Sequence, residues 1–194
     1  MFRLPARLKV SRSFLSSFVL SGILSLLCGQ PTLALRPSRN LGGYVHSIWM
    51  SDDGLPQNYV VALLQSRDGY LWLGTQEGLV RFDGVKFTVF DKRNTPEIRD
   101  NNIQAMCEGR DGALWLGTEG GGLTALKDGV FKTYTSKDGL PSDFIDAICE
   151  DRSGNLWVGT DAGLSRFSDA RFSNYSARDG LVNASVLALV EDRA

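Results

Sequence analysis

The sequence predicts an all-β chain: an incomplete β-propeller of three full four-stranded antiparallel blades, with an orphan N-terminal outer strand and an orphan C-terminal inner strand. Three observations predict it. The phrase Leu-Trp-apolar-Gly-Thr occurs three times, placing Trp72, Trp115 and Trp157 at spacings of 43 and 42 residues. Each phrase is preceded by a turn pair (Asp68-Gly69, Asp111-Gly112, Ser153-Gly154) and followed by Gly-Leu (Gly78-Leu79, Gly122-Leu123, Gly163-Leu164). Gly and Asp-Gly turns interrupt every stretch long enough for a helix, which excludes a helical repeat of similar period. A Trp-marked unit of that length is a propeller blade.

Within a repeat the elements follow in order. The first strand runs through Val60–Gln65, with counterparts at Ile103–Glu108, Ile145–Glu150 and Val186–Glu191. Its third position is always Ala (Ala62, Ala105, Ala147, Ala188), as a strand crowded near a central axis requires. A Gly turn that tolerates positive φ leads into the Trp strand. There Gly74, Gly117 and Gly159 permit close approach of a neighbouring backbone. The third strand passes through Leu79-Val80-Arg81-Phe82. The fourth ends in an aromatic pair: Phe87/Phe90, Phe131/Tyr134 and Phe172/Tyr175.

The same register exposes the unpaired ends. Asp53, Asp138 and Asp179 each open Asp-Gly-Leu and follow an aromatic by four residues (Trp49, Tyr134, Tyr175). Residues 44–50 therefore read as an outer strand without a blade of its own, and residues 184–194 as the start of another blade. The blades span about 58–91, 101–135 and 143–176. Rings close with roughly 4–8 blades, so three predict a fragment of a longer ring.

Residues 1–34 stand apart. Arg3, Arg7, Lys9 and Arg12 precede an apolar run, Phe14–Leu27, and Thr32-Leu33-Ala34 supplies small residues at −3 and −1 of a cut after Ala34. This is the layout of a secretory signal peptide, with 35–43 as a linker. Leu27 before Cys28 is too bulky for a lipoprotein signal. The remainder carries 17 Lys+Arg against 22 Asp+Glu, which argues against nucleic acid as a partner. One His and three Cys exclude a His-rich metal site and a dense disulfide framework, and no cofactor or metal is implied.

These residues resemble the two-component regulator propeller repeat, whose phrase looks like Asp-Gly-Leu-Pro, an apolar strand, Asp-x-x-Gly-x-Leu-Trp-x-Gly-Thr, Gly-Leu and an aromatic pair. Asp53-Gly54-Leu55-Pro56 and Asp138-Gly139-Leu140-Pro141 match, and Asp179-Gly180-Leu181 is followed by Val182. In the second repeat Arg99-Asp100-Asn101-Asn102 stands in place of the opening phrase, and Gly120-Gly121-Gly122 adds one residue. The resemblance covers about residues 44–194. It implies the periplasmic sensor region of an inner-membrane regulator, continuing into further blades, a membrane helix and an output domain. That output would be a histidine kinase or a diguanylate cyclase. It further implies a homodimeric full-length protein and a small ligand, with carbohydrate as the ligand class.

On this reading the chain itself is non-catalytic. His46 lies in the column of Phe87, Phe131 and Phe172, a packing position with no nucleophile or acid beside it in sequence. A propeller lyase or a protein-interaction scaffold are the alternatives. Cys107 and Cys149 share a column with Leu64 and Val190, which reads as small buried hydrophobes and free thiols. Trp72, Trp115 and Trp157, with Gly74, Gly117 and Gly159, read as structural. Ligand contacts are expected where the polar loops vary between repeats: Asn58, Asn101 and Asp143 before the inner strands, and Gln76, Glu77, Glu119 and Asp161 between the second and third strands.

Overall fold

The computed structural model of the chain describes residues 47–192; the signal peptide, the linker, Tyr44 and His46 lie outside the described residues. Twelve strands form three separate four-stranded sheets, each a simple up-and-down meander. Blade I comprises β1 (Val60–Gln65), β2 (Leu71–Thr75), β3 (Gly78–Phe82) and β4 (Phe87–Phe90). Blade II comprises β5 (Ile103–Glu108), β6 (Leu114–Thr118), β7 (Leu123–Lys127) and β8 (Val130–Tyr134). Blade III comprises β9 (Ile145–Glu150), β10 (Leu156–Thr160), β11 (Gly163–Ser168) and β12 (Arg171–Tyr175). All pairings are antiparallel, and the sheets do not close on one another as a barrel.

The invariant Ala and Gly meet across each sheet. Ala62 pairs with Gly74, Ala105 with Gly117 and Ala147 with Gly159, each beside a register shift in the inner strand. The smallest cross-strand pair in each blade thus leaves a notch, and the next segment along the chain fills it. A Cβ on Gly74 would stand 3.0 Å from Ile103, and one on Gly117 would stand 2.5 Å from Ile145. One on Gly159 would stand 2.4 Å from the Val186 carbonyl oxygen. Ile103 and Ile145 are buried, so the notch is the seat of the interblade core.

Two apolar clusters hold the blades together. Trp72, Leu79 and Phe90 of blade I pack with Ile103, Leu114, Leu116 and Phe131 of blade II. Leu123, Trp115 and Tyr134 of blade II pack with Ile145, Leu156, Val158 and Phe167 of blade III. The last aromatic of one blade meets the rings of the next: Phe90 lies 5.7 Å from Phe131, and Tyr134 lies 5.1 Å from Phe167. A third cluster lines the free side of blade I, where Trp49 lies 5.0 Å from Phe82 and 6.3 Å from Phe87. Trp49 thus makes on blade I the contacts that Tyr134 makes on blade III.

The two terminal segments differ from expectation. Residues 47–50 and 184–192 are not strands. Among the described residues neither pairs with a strand in a ladder, and extended backbone without one is not a sheet. Their placement still follows the repeat, since the Val186 N–H donates to the Thr160 carbonyl at 2.9 Å.

A second difference concerns the opening of repeat two. Ile98 is fully buried, in the seat that Leu55 and Leu140 occupy in their repeats. Pro96-Glu97-Ile98-Arg99 therefore replaces Asp-Gly-Leu-Pro, three residues before the position expected from sequence. The loop out of blade I is held differently from the others. After blade II, Asp138 accepts the Thr135 N–H at 2.8 Å and Gly139 ends a single 3-10 turn (Ser136–Asp138) at φ 108°. After blade I, buried Asp91 binds Arg93 at 2.6 Å and Asn94 accepts the Asp91 N–H. The side-chain hydrogen bond from Arg93 holds the Asp91 carboxyl at about 2.

The blades are also clasped at the β1–β2 turns. The Arg67 N–H donates to both oxygens of Glu108, the Arg110 N–H to both of Glu150, and the Arg152 N–H to Glu191. The Arg67 side chain also donates to the Arg110 carbonyl, and the Arg110 side chain to the Arg152 carbonyl. Each clasp spans one repeat.

Candidate functional site

The loops entering the inner strands and the β2–β3 turns meet at one end of the blades, the upper rim. Gln57 Nε2 donates to Gln76 Oε1 at 3.3 Å, and the Glu119 N–H donates to the Asn102 carbonyl at 3.1 Å. Asn102 Nδ2 in turn donates to Glu119, and Gln104 Nε2 donates to Asn102 Oδ1 at 3.1 Å. A relay of amides thus runs from inner strand β5 to the carboxylate of the β6–β7 turn.

The seven candidate residues divide into two groups. Asn58, Asn101 and Asp143 hold the fold: their side-chain oxygens accept the N–H groups of Ser51 (2.8 Å), Lys92 (2.9 Å) and Ser136 (2.6 Å). They tie each interblade loop to the following inner strand, as Asx residues do in turns. Gln76, Glu77, Glu119 and Asp161 lie in the β2–β3 type turns. Glu77 is exposed; its backbone N–H binds Thr75 Oγ1 at 3.1 Å while its carboxylate has no hydrogen bond among the described residues.

Asp146, in inner strand β9, joins this rim. Burial raises its pKa, and the negative charges of Asp161 and Glu119 raise it further. Two exposed aromatics occupy the same column of the rim, Tyr59 in blade I at 61% and Phe144 in blade III at 48% exposure. Asp146, Gln104, Tyr59 and Phe144 were not among the sequence candidates. Tyr59, Asn102 and Phe144 share one column just before the inner strand, and its alternation between aromatic and amide was the available signal.

The tryptophans lie on the blade faces. Each is tilted by about 30° against the last aromatic of its own blade: Trp72–Phe90 at 6.0 Å, Trp115–Tyr134 at 6.2 Å and Trp157–Tyr175 at 5.8 Å. The indole N–H of Trp72 donates to Ser66 Oγ at 3.0 Å, and that of Trp157 donates to Asp151 at 2.8 Å. Trp115 has no such acceptor among the described residues, because Gly109 occupies that column. A Cβ there would lie 2.8 Å from a Glu150 oxygen and 2.9 Å from an Asp111 oxygen.

Asp151 shows what that column does. Burial opposes its ionisation, yet the Trp157 indole, the Asn155 amide and the N–H groups of Asn155 and Ser153 outweigh it and hold the carboxyl at about 2. A depressed folded pKa stabilises the protein above the unfolded value of about 4 and loses that contribution as pH falls toward 2. Between pH 5 and pH 2 the melting temperature should therefore fall more steeply in wild type than in Asp151→Asn. Parallel curves would show that the carboxylate contributes nothing.

Cys107 and Cys149 are free thiols, and burial pushes Cys107 upward. Among the described residues no group of three or more His, Cys, Asp or Glu could hold a metal ion. No helix among them is long and apolar enough to cross a membrane.

Comparison with known proteins places these features. The two-component regulator propeller family model matches residues 54–77, 97–120 and 139–162, with the second match beginning where buried Ile98 sets the register. A histidine kinase of Formosa agariphila is 37% identical over 65 residues, covering 34% of this chain and 5% of the kinase. Among solved structures, the extracellular domain of a hybrid two-component system of B. thetaiotaomicron superposes with a TM-score of 0.69 at 24% identity. That match covers 77% of this chain and 21% of the solved one, so this chain spans about a fifth of its length. A virginiamycin B lyase of Staphylococcus aureus shares the fold more distantly, with a TM-score of 0.50 at 17% identity over 63% of this chain and 43% of the lyase. The two-component regulator propeller model thus matches one segment in each blade, from the buried apolar residue before the inner strand to the β2–β3 type turn.

Proposed function

We propose that this chain is part of the ligand-sensing propeller of an exported, membrane-bound signal-transduction protein of the histidine-kinase type. The upper rim is its ligand-contact end, and the chain itself is non-catalytic. The family repeats, the solved extracellular domains of similar fold and the signal-peptide layout support the assignment. The observation that carries the placement is the rim itself. The columns that pack the blades (the Trp, the Gly after it and the inner-strand Ala) repeat from blade to blade, whereas at the rim Asp146, Glu119 and Asp161 differ from their counterparts and Tyr59 and Phe144 alternate with Asn102.

Carboxylates and amides beside exposed aromatic faces suit a polyhydroxylated ligand, whose hydroxyls donate and accept while its C–H faces stack. A ligand signals only through unequal affinity for two arrangements of the full protein, which we take to be a dimer completed by further blades and an output domain. The test uses the full-length protein in membrane vesicles, with autophosphorylation measured against a panel of neutral oligosaccharides. The pair Glu119→Gln/Asp161→Asn should raise the half-saturating concentration at least tenfold while leaving the melting temperature within a degree. An unchanged response, or no response to any sugar, would move the contact site elsewhere.

A further inference from the structure

A cleft of about 540 Å³ opens between blade I and blade II toward the β1–β2 and β3–β4 turns, away from the upper rim. That volume lies within the range of small-molecule sites. Its apolar wall is Trp72, Phe90, Leu126 and Phe131. Arg81 also lines it, with its guanidinium 4.6 Å from the Tyr70 ring centroid and 5.9 Å from that of Trp72. No hydrogen bond or ion pair engages that guanidinium among the described residues; it interacts with Asp83 at longer range. A guanidinium stacked on aromatic rings keeps its N–H fork free for a carboxylate.

Asp68 and Asp128 also line the cleft. One Asp68 oxygen accepts from Ser66 and Tyr70, and the other has no partner among the described residues. Asp128 sits in the β7–β8 turn at φ 50°, exposed. The equivalent cleft between blades II and III, about 440 Å³, has its Asp111 already paired. Asp111, which lines it, is bound by Lys127 at its margin at 2.5 Å, and Ala125 occupies the strand column that holds Arg81 in blade I. Blade I has Asp83 where blade II has Lys127, so its cleft retains one cation and two carboxylates with no salt bridge among the described residues, although Asp128 also feels the charge of Lys127.

We infer that the blade I–II cleft binds a small zwitterion with an apolar side chain, of the α-amino acid class. The carboxylate engages Arg81, the ammonium engages Asp68 and Asp128, and the side chain lies against Trp72, Phe90 and Phe131. A simple anion would meet the two carboxylates, and a simple amine would leave Arg81 without an acceptor.

Titration calorimetry of the purified protein with three probes tests this: phenylalanine, 3-phenylpropionate and 2-phenylethylamine. Phenylalanine should bind, and removal of either charge should weaken binding at least tenfold. Arg81→Gln should weaken phenylalanine at least tenfold, whereas Arg166→Gln, the same column in blade III, should leave it unchanged. If Arg81→Gln lowers the melting temperature, Arg81→Lys keeps the cation without the fork and should still weaken binding several-fold. The Glu119→Gln/Asp161→Asn pair should have no effect here, which separates this site from the rim. Binding of the amine as tight as that of phenylalanine, an unchanged Arg81→Gln, or no binding of any probe with a dissociation constant below about 10 mM would overturn it.

Discussion

Replacing Trp72 by Ala should destabilise the protein by about 3–5 kcal/mol, as expected for a large buried aromatic. Trp72 is only 5% exposed. It packs on Phe90 and on the blade II residues Ile103 and Leu114, so its removal opens a void between two sheets rather than at a surface. It also leaves Ser66 Oγ without the indole donor and removes one of the two rings beneath Arg81. Trp115→Ala should cost less, because that ring is half-buried and its N–H has no partner to lose. Urea unfolding of the two variants checks both magnitude and order. Equal midpoints for Trp72→Ala and wild type would show that the interblade core does not hold the blades together.

Gly117→Ala should cost about 3 kcal/mol, at the upper end of ordinary overpacking. The backbone of Gly117 does not have a left-handed φ, so conformational strain is not the cause. The cause is Ile145, whose Cγ2 and Cβ would lie 2.5 and 2.8 Å from the new methyl carbon. Neither can yield easily, since Ile145 is buried and rooted in strand β9. Gly74→Ala meets Ile103 at 3.0 Å and should be milder. Ile145→Ala should recover part of the Gly117→Ala loss, because the two sites share one space. Additive losses in the double variant would refute the notch as the origin of the effect.

The architecture was legible because a propeller repeats its solution to one packing problem. The Trp, the Gly after it and the inner-strand Ala recur as letters because each blade meets its neighbour in the same way. What recurred as chemistry under different letters was harder to read. Ile98 fills the leucine seat of repeat two without the Asp-Gly-Leu-Pro spelling, so the register there could be recovered only from its burial. Asn58, Asn101 and Asp143 look like variable polar loop residues, yet all three present an oxygen to a backbone N–H. The rim reads poorly for the opposite reason. Asp146 lies inside a strand with an apolar pattern, and its link to Glu119 crosses from one blade to another. The open charges of the blade I–II cleft emerge only by comparing Asp83 with Lys127 and Arg81 with Ala125, pairs that mean little until the sheets are stacked.

The arginine–glutamate clasps have a directional consequence. Every repeat from the second onward carries a socket, Glu108, Glu150 or Glu191, and the repeats before them carry the matching plug in Arg67, Arg110 and Arg152. Blade I has Gln65 at the socket position. A gene duplication copying blade II or III would bring both halves of the connector with it and could be spliced into the array without redesign. Moving blade I to an internal place would interrupt the circuit, so such arrays can lengthen by tandem copying while their order stays readable.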